Sequence, residues 1–195
     1  MEVAVKTITE DIVKLSIQGN RRAQFKFYNK YSPLLFGISL RYAKNNTDAE
    51  DILQEGFIKI FKYLKDFRSE GSIEGWMRRI IVTTSYNFYK RKSLINNDVE
   101  PENLKSPFSN DNEIVSMMSH DELLNIIQGL PNGYRTVFNL NTFEGYSHKE
   151  ISAKMNISVN TSKSQLSRAK LSLQKNILLL FKTEEQKINL SFAVC

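Results

Sequence analysis

LPNGYRTVFNLNTFEGYSHKEISAKMNISVNTSKSQLSRAK, residues 130–170, is the stretch on which the reading of the fold turns. Ser147 and Glu150 stand three residues apart, a hydroxyl and a carboxylate placed to satisfy each other's free backbone N–H at a helix start. The helix they open is short, with Ile151 and Met155 one turn apart on its inner face. Asn156-Ile157 makes the turn, since Asn is one of the few residues besides glycine that accept a left-handed backbone. Ser158 then caps a second helix, whose apolar side is Leu166, Ala169, Leu173 and Ile177. Its outward side opens with Asn160, Thr161, Lys163, Ser164, Ser167 and Arg168. Short hydroxyls and long cations near a helix start suit a DNA major groove, where they meet phosphates and base edges. The same pattern also describes an ordinary helix pair with a solvated face, and spacing alone leaves both readings open.

Working outward, the whole chain of 195 residues reads as all-α. Apolar residues recur at helical spacing throughout, and strand-like alternation is missing over any useful length. The stretch 93–117 breaks this pattern with Asn96, Asn97, Asp98, Pro101, Asn103, Ser106, Pro107, Ser109, Asn110, Asp111 and Asn112. So many polar turn-formers cannot pack a core, which predicts a flexible linker between two small helical domains. The linker is acidic: Asp98, Glu100, Glu102, Asp111 and Glu113 face a single cation, Lys105. Its flanks are basic, through Arg78, Arg79, Lys90, Arg91 and Lys92 before it and Arg135, Lys149, Lys154, Lys163, Arg168, Lys170, Lys175 and Lys182 after it. The formal net charge is +6, a mild lean toward an anionic partner.

Several classes are disfavoured. The lone cysteine, Cys195, allows no internal disulfide, and His120 and His148 form no metal-ligand spacing. No phosphate-binding glycine loop or nucleophile elbow is present. The apolar run 177–181 is too short to span a bilayer, and the first residues lack a signal-peptide layout. The expectation is a cytoplasmic protein without membrane insertion.

In the N-terminal half, Thr47 and Glu50 are a second candidate capping pair. The helix behind them buries Ala49, Ile52, Leu53, Gly56, Phe57, Ile60, Phe61 and Leu64. Asp48, Asp51, Gln54 and Glu55 lie opposite. The acids either complement the helix dipole or form a patch for a basic protein surface. Ser72 is the expected cap of the next helix, with Ile73, Trp76, Met77, Ile80, Ile81, Thr84 and Phe88 inward. Off that stripe lie Thr83, Tyr86, Asn87, Tyr89 and Lys90, followed by Arg91 and Lys92. Rings among amides and cations suit unpaired bases, or simply cover the helix surface.

Residues 130–170 resemble region 4 of the sigma-70 family of RNA polymerase sigma factors, in its extracytoplasmic-function (ECF) subgroup. The shared parts are Leu130-Pro131, Glu144-Gly145-Tyr146-Ser147 and residues 157–161, followed by a basic helix. The resemblance implies that Asn160, Thr161, Lys163, Ser164, Ser167 and Arg168 face the −35 element. Ser162 departs from a usually apolar position and Gln165 from a usual arginine. Residues 24–92 resemble region 2. DAEDILQEGFIKIF (48–61) is similar to its polymerase-binding helix, which implies that Asp48, Asp51, Gln54 and Glu55 contact the β′ clamp. The following helix resembles the segment that opens the −10 element, which assigns Arg79, Thr83, Tyr86, Asn87, Tyr89, Lys90 and Arg91 to DNA. Thr83, Thr84 and Asn87 depart from common family residues there.

The expected layout is therefore a region 2-like domain over 1–92, a linker over 93–117, a region 4-like helix-turn-helix domain over 118–182, and an unassigned tail over 183–195. The expected function is promoter recognition, −10 melting and transcription initiation. The chain would not be an enzyme and would need no cofactor. Core RNA polymerase (β′ clamp and β flap) and promoter DNA are the implied partners, with an anti-sigma factor possible. The rival readings are a stand-alone helix-turn-helix regulator with an N-terminal interaction domain, and a helical RNA-binding adaptor.

Overall fold

The computed structural model describes residues 11–68, 70–96 and 118–192. Contacts divide the chain into two units, Met1–Asn97 and Asp98–Cys195, and the described residues of both are helical.

In the first unit, a short helical stretch over 11–17 precedes α1 (Arg21–Tyr42), α2 (Asn46–Tyr63), a 3₁₀ turn (Leu64–Asp66) and α3 (Ile73–Asn96). The three long helices each pack against the other two. The Asn20 side chain caps α1 by accepting from the Ala23 N–H at 3.0 Å. The inner face of α1 is Ala23, Phe27, Tyr31, Leu35, Ile38 and Tyr42, a helical stripe with under 6% exposure. Phe27 and Phe61 (centroids 5.7 Å apart) and Tyr28 and Phe57 (4.5 Å) join α1 to α2 in tilted ring contacts. Ile52, Ile60, Met77 and Ile81 are fully buried, each contributing roughly 1.5–3 kcal/mol. Helix α3 comes close to α2 at Gly56, where an added β-carbon would run into the Ile81 side chain.

Two boundaries differ from the sequence expectation. The cap of α2 is Asn45, whose side chain accepts from the Asp48 N–H at 2.8 Å, and not Thr47. Asn45 is an equally good capping residue and starts the helix two residues earlier. Helix α3 runs to Asn96, four residues past the expected domain end at 92, because Ser93-Leu94-Ile95 holds no helix breaker. The remainder of the expected linker, 97–117, lies outside the described residues. Ser72 caps α3 as expected, accepting from the Gly75 N–H at 2.9 Å.

The second unit contains α4 (His120–Gln128), α5 (Asn132–Thr142), α6 (His148–Met155) and α7 (Val159–Phe192). Its core gathers Ile126, Ile127, Leu130, Tyr134, Ala169 and Leu173, so the apolar side of α7 closes over α4 and α5. Helix α7 continues through much of the unassigned tail, to Phe192. No helix among the described residues is long and apolar enough to cross a membrane.

Candidate polymerase and nucleic-acid interfaces

The outward edge of α2 carries Asp51 and Gln54, both exposed, with Glu55 beside them. Glu55 is held from two sides. Arg91 donates to both of its oxygens (2.6 and 3.2 Å), and Lys59 donates to Oε1 at 2.7 Å. Lys59 also reaches the buried Thr84 hydroxyl at 3.2 Å. The Arg91 hydrogen bonds, assisted by Lys59, hold the Glu55 carboxyl down at about 2.

Asp48 does not share this edge, which corrects the sequence expectation. It is 5% exposed. It accepts from the Tyr89 hydroxyl at 2.8 Å and pairs with Lys92 at 2.8 Å. The signal was present: Asp48 stands one turn before the buried Ile52, on the same stripe.

On α3, Arg79, Thr83 and Lys90 are exposed, and Tyr86 and Asn87 are half-buried. Their three- and four-residue spacing forms one continuous outward stripe. Tyr89 is corrected: it is 6% exposed, and its hydroxyl accepts the Lys44 backbone N–H at 2.6 Å while donating to Asp48. Its place follows Ile81 and Ser85 at four-residue steps, both buried. Arg91 remains 57% exposed but leans across to Glu55, away from the stripe. Trp76 is half-buried against Phe67, with centroids 5.4 Å apart.

The second unit builds its turn as the sequence reading expects. Ser147 and Glu150 form a full capping box, and Asn156 closes α6 in the left-handed conformation (φ 55°). The Ser158 hydroxyl accepts from the Thr161 N–H at 2.9 Å. Hydrogen bonds from Ser147 hold the Glu150 carboxyl below its usual range. The first turns of α7 then expose Asn160, Lys163, Ser164 and Ser167, with Thr161 half-buried among them. Arg168 is half-buried and donates to the Tyr134 hydroxyl at 3.3 Å, which ties it to α5. Ser162, at the usually apolar position, is fully buried with its hydroxyl 2.9 Å from His148 Nδ1. A polar pair therefore joins α6 to α7 at the position that is usually apolar.

Arg135 belongs to the interior and not to the basic surface. It is 1% exposed and donates to the Gln128 and Leu130 carbonyls, both at 2.8 Å, at the end of α4. The Gln128 carbonyl closes α4 and Leu130 lies just past it, where the cation complements the negative end of the helix dipole. The sequence reading also missed the Ser119–Glu122 capping box of α4, although its Ser-x-x-Glu spacing was visible. Among the described residues, no three His, Cys, Asp or Glu side chains gather as a metal site.

Both units are similar in sequence to known proteins. Residues 27–95 match the family model described as Sigma-70 region 2, and residues 120–173 match Sigma-70, region 4. The RNA polymerase sigma-H factor of Pseudomonas aeruginosa is 27% identical over 178 residues, 85% of this chain and 92% of that protein. The ECF RNA polymerase sigma-E factor of Haemophilus influenzae is 26% identical over 186 residues, 90% of this chain and 98% of that protein. Among solved structures, the sigma factor RpoE of Bartonella quintana, in complex with the anti-sigma factor NepR, is 18% identical with a TM-score of 0.49. That alignment covers 78% of this chain and 96% of that one. Two sigma regions matched in order, together over more than half of the chain, mean that it belongs to the sigma-70 family, and relatives it is similar to are named ECF sigma factors.

Proposed function

We propose that this chain binds core RNA polymerase in the cytoplasm and directs it to promoters by gripping DNA at two places. The observation that carries the reading is the pairing of two sigma regions, each with a solvent-facing polar surface on the helix expected to use it. Asp51, Gln54 and Glu55 on α2 offer a polar, acidic edge to the β′ clamp. Arg79, Thr83, Tyr86, Asn87 and Lys90 on α3 take the unpaired −10 strand. Unstacking bases costs a few kcal/mol. Stacking on Tyr86 returns roughly 1–3 kcal/mol per base, and the cations hold the backbone. Asn160, Thr161, Lys163, Ser164 and Ser167 enter the −35 major groove, guided by the α7 start. The β flap is the expected second contact on polymerase, and an anti-sigma factor is the expected regulator. Asp48, Tyr89 and Arg168 serve to place these surfaces. The mechanism is that of an initiation factor and not of an enzyme, and it needs no cofactor.

The test is in vitro transcription with core enzyme on genomic fragments, together with core binding by an Asp51→Ala, Glu55→Ala double variant. The chain is expected to confer specific start sites, and the variant to lose core binding with its helical circular dichroism unchanged. Absence of start-site selection removes the function. Retained core binding removes the α2 assignment alone.

A further inference from the structure

Glu55 and Arg91 were assigned to different partners, yet in this structure each occupies the other. Glu55 shares the outward face of α2 with Asp51 and Gln54. Arg91 follows Lys90 at the end of the DNA-facing stripe of α3. The two residues are 36 apart in sequence and meet through a two-pronged ion pair.

We propose that this pair is an exchangeable clasp coupling polymerase docking to DNA capture. In the free chain Arg91 covers Glu55. A basic polymerase surface that takes Glu55 displaces Arg91, and the freed guanidinium turns to the DNA phosphates. The inference rests on the polymerase and DNA assignments proposed above.

The neighbouring contacts say which member leaves. Lys59 is tied both to Glu55 and to Thr84, so Glu55 keeps one cation and its position when Arg91 departs. Arg91 has the more open side chain, 57% exposed against 25% for Glu55. An ion pair at such a rim is weak and readily exchanged. The second cross-helix pair, Lys92 with Asp48, is anchored on a buried carboxylate, so α3 stays pinned while Arg91 swings. Competition of this kind is reciprocal: whatever Arg91 costs polymerase at Glu55, Glu55 costs DNA at Arg91.

The test uses the full-length chain with Glu55→Gln, Arg91→Gln and the double variant. Two affinities are read, one for core polymerase and one, without polymerase, for a single-stranded dT oligonucleotide of roughly a dozen nucleotides. Arg91→Gln is expected to tighten core binding by about two- to five-fold, the range of an exposed ion pair. Glu55→Gln is expected to weaken core binding but to tighten oligonucleotide binding by a similar factor. The double variant should show neither gain. Lys90→Gln and Asp51→Asn make the same charge changes beside the clasp, and the gains must exceed theirs. A merely structural pair would weaken both affinities together. If Glu55→Gln weakens core binding while Arg91→Gln fails to tighten it, the clasp is overturned and the α2 assignment stands. If Glu55→Gln leaves core binding unchanged, the clasp and that assignment fall together.

Discussion

Tyr89 and Asp48, 41 residues apart, meet hydroxyl to carboxylate at 2.8 Å and fix the end of α3 to the start of α2. The same Tyr89 hydroxyl accepts the Lys44 backbone N–H, so one oxygen serves the α1–α2 connection, the α2 carboxylate and its own helix. Residues on either side of Tyr89 carry the outward stripe of α3 proposed above to take DNA, and this junction ties that part of α3 to α2.

Tyr89→Phe removes that oxygen and leaves a buried carboxylate and an N–H each short of one partner. Such a loss costs about 1–3 kcal/mol. Denaturant unfolding of the first unit, followed through Trp76 fluorescence, should show it. Asp48→Asn is expected to cost less in the Tyr89→Phe background than alone, because the two share one interaction.

Arg135→Leu keeps bulk but removes a donor from the Gln128 and Leu130 carbonyls, at and just past the end of α4. The expected loss is about 2–4 kcal/mol, since each unsatisfied buried group costs about 1–3 kcal/mol. It should appear as faster amide exchange in α4 and α5 with no change in the first unit. An unchanged exchange pattern would show that solvent or another donor replaces the guanidinium.

Asn156 sits at φ 55°, a conformation that costs most side chains about 1–2 kcal/mol. Asn156→Val should therefore destabilise the second unit by about that amount, and Asn156→Gly should be neutral or mildly stabilising. Calorimetry of the two variants side by side checks the order. Equal melting temperatures would contradict it.

The Glu55 carboxyl is held at about 2 from an ordinary 4.5, chiefly by Arg91. A depressed folded-state value means that this pairing contributes stability above the unfolded value and loses it as pH falls from about 4.5 toward 2. Carboxyl carbon NMR should give a low midpoint in the native chain and one shifted up toward 4.5 in Arg91→Gln. Lys59 remains, so the return should be partial.

Lys163→Ala should weaken promoter binding by the holoenzyme and lower the slope of log affinity against log salt by about one, as for one lost phosphate contact. Sequence-selective weakening with an unchanged slope would instead make Lys163 a reader of bases. Either outcome is separable from unfolding, because Lys163 is exposed while Leu166 carries the packing.

Much of the second unit was legible in the chain itself. The Ser147–Glu150 box, the Asn156 turn and the Ser158 cap rest on contacts between residues at most five apart, and the apolar side of α7 on its own helical spacing. Such contacts obey helix geometry, which sequence spacing encodes directly. The first unit was legible in its apolar stripes and less so in its polar residues. Asp48 and Tyr89 follow helical steps from buried neighbours, so their inward turn could have been read; polarity argued the other way.

The sequence by itself determined the helices and the caps of α3, α6 and α7, because these depend on periodicity and near-neighbour hydrogen bonds, while the order of the two sigma regions came from family resemblance. Only the tertiary structure decided which charged residues remain available. Arg135 turned inward to the Gln128 and Leu130 carbonyls, Lys92 to Asp48, and Arg91 to Glu55. Helical spacing places a side chain around its own axis. It does not say which polar atoms a neighbouring helix brings within reach of a long cation, and that is what selects its partner.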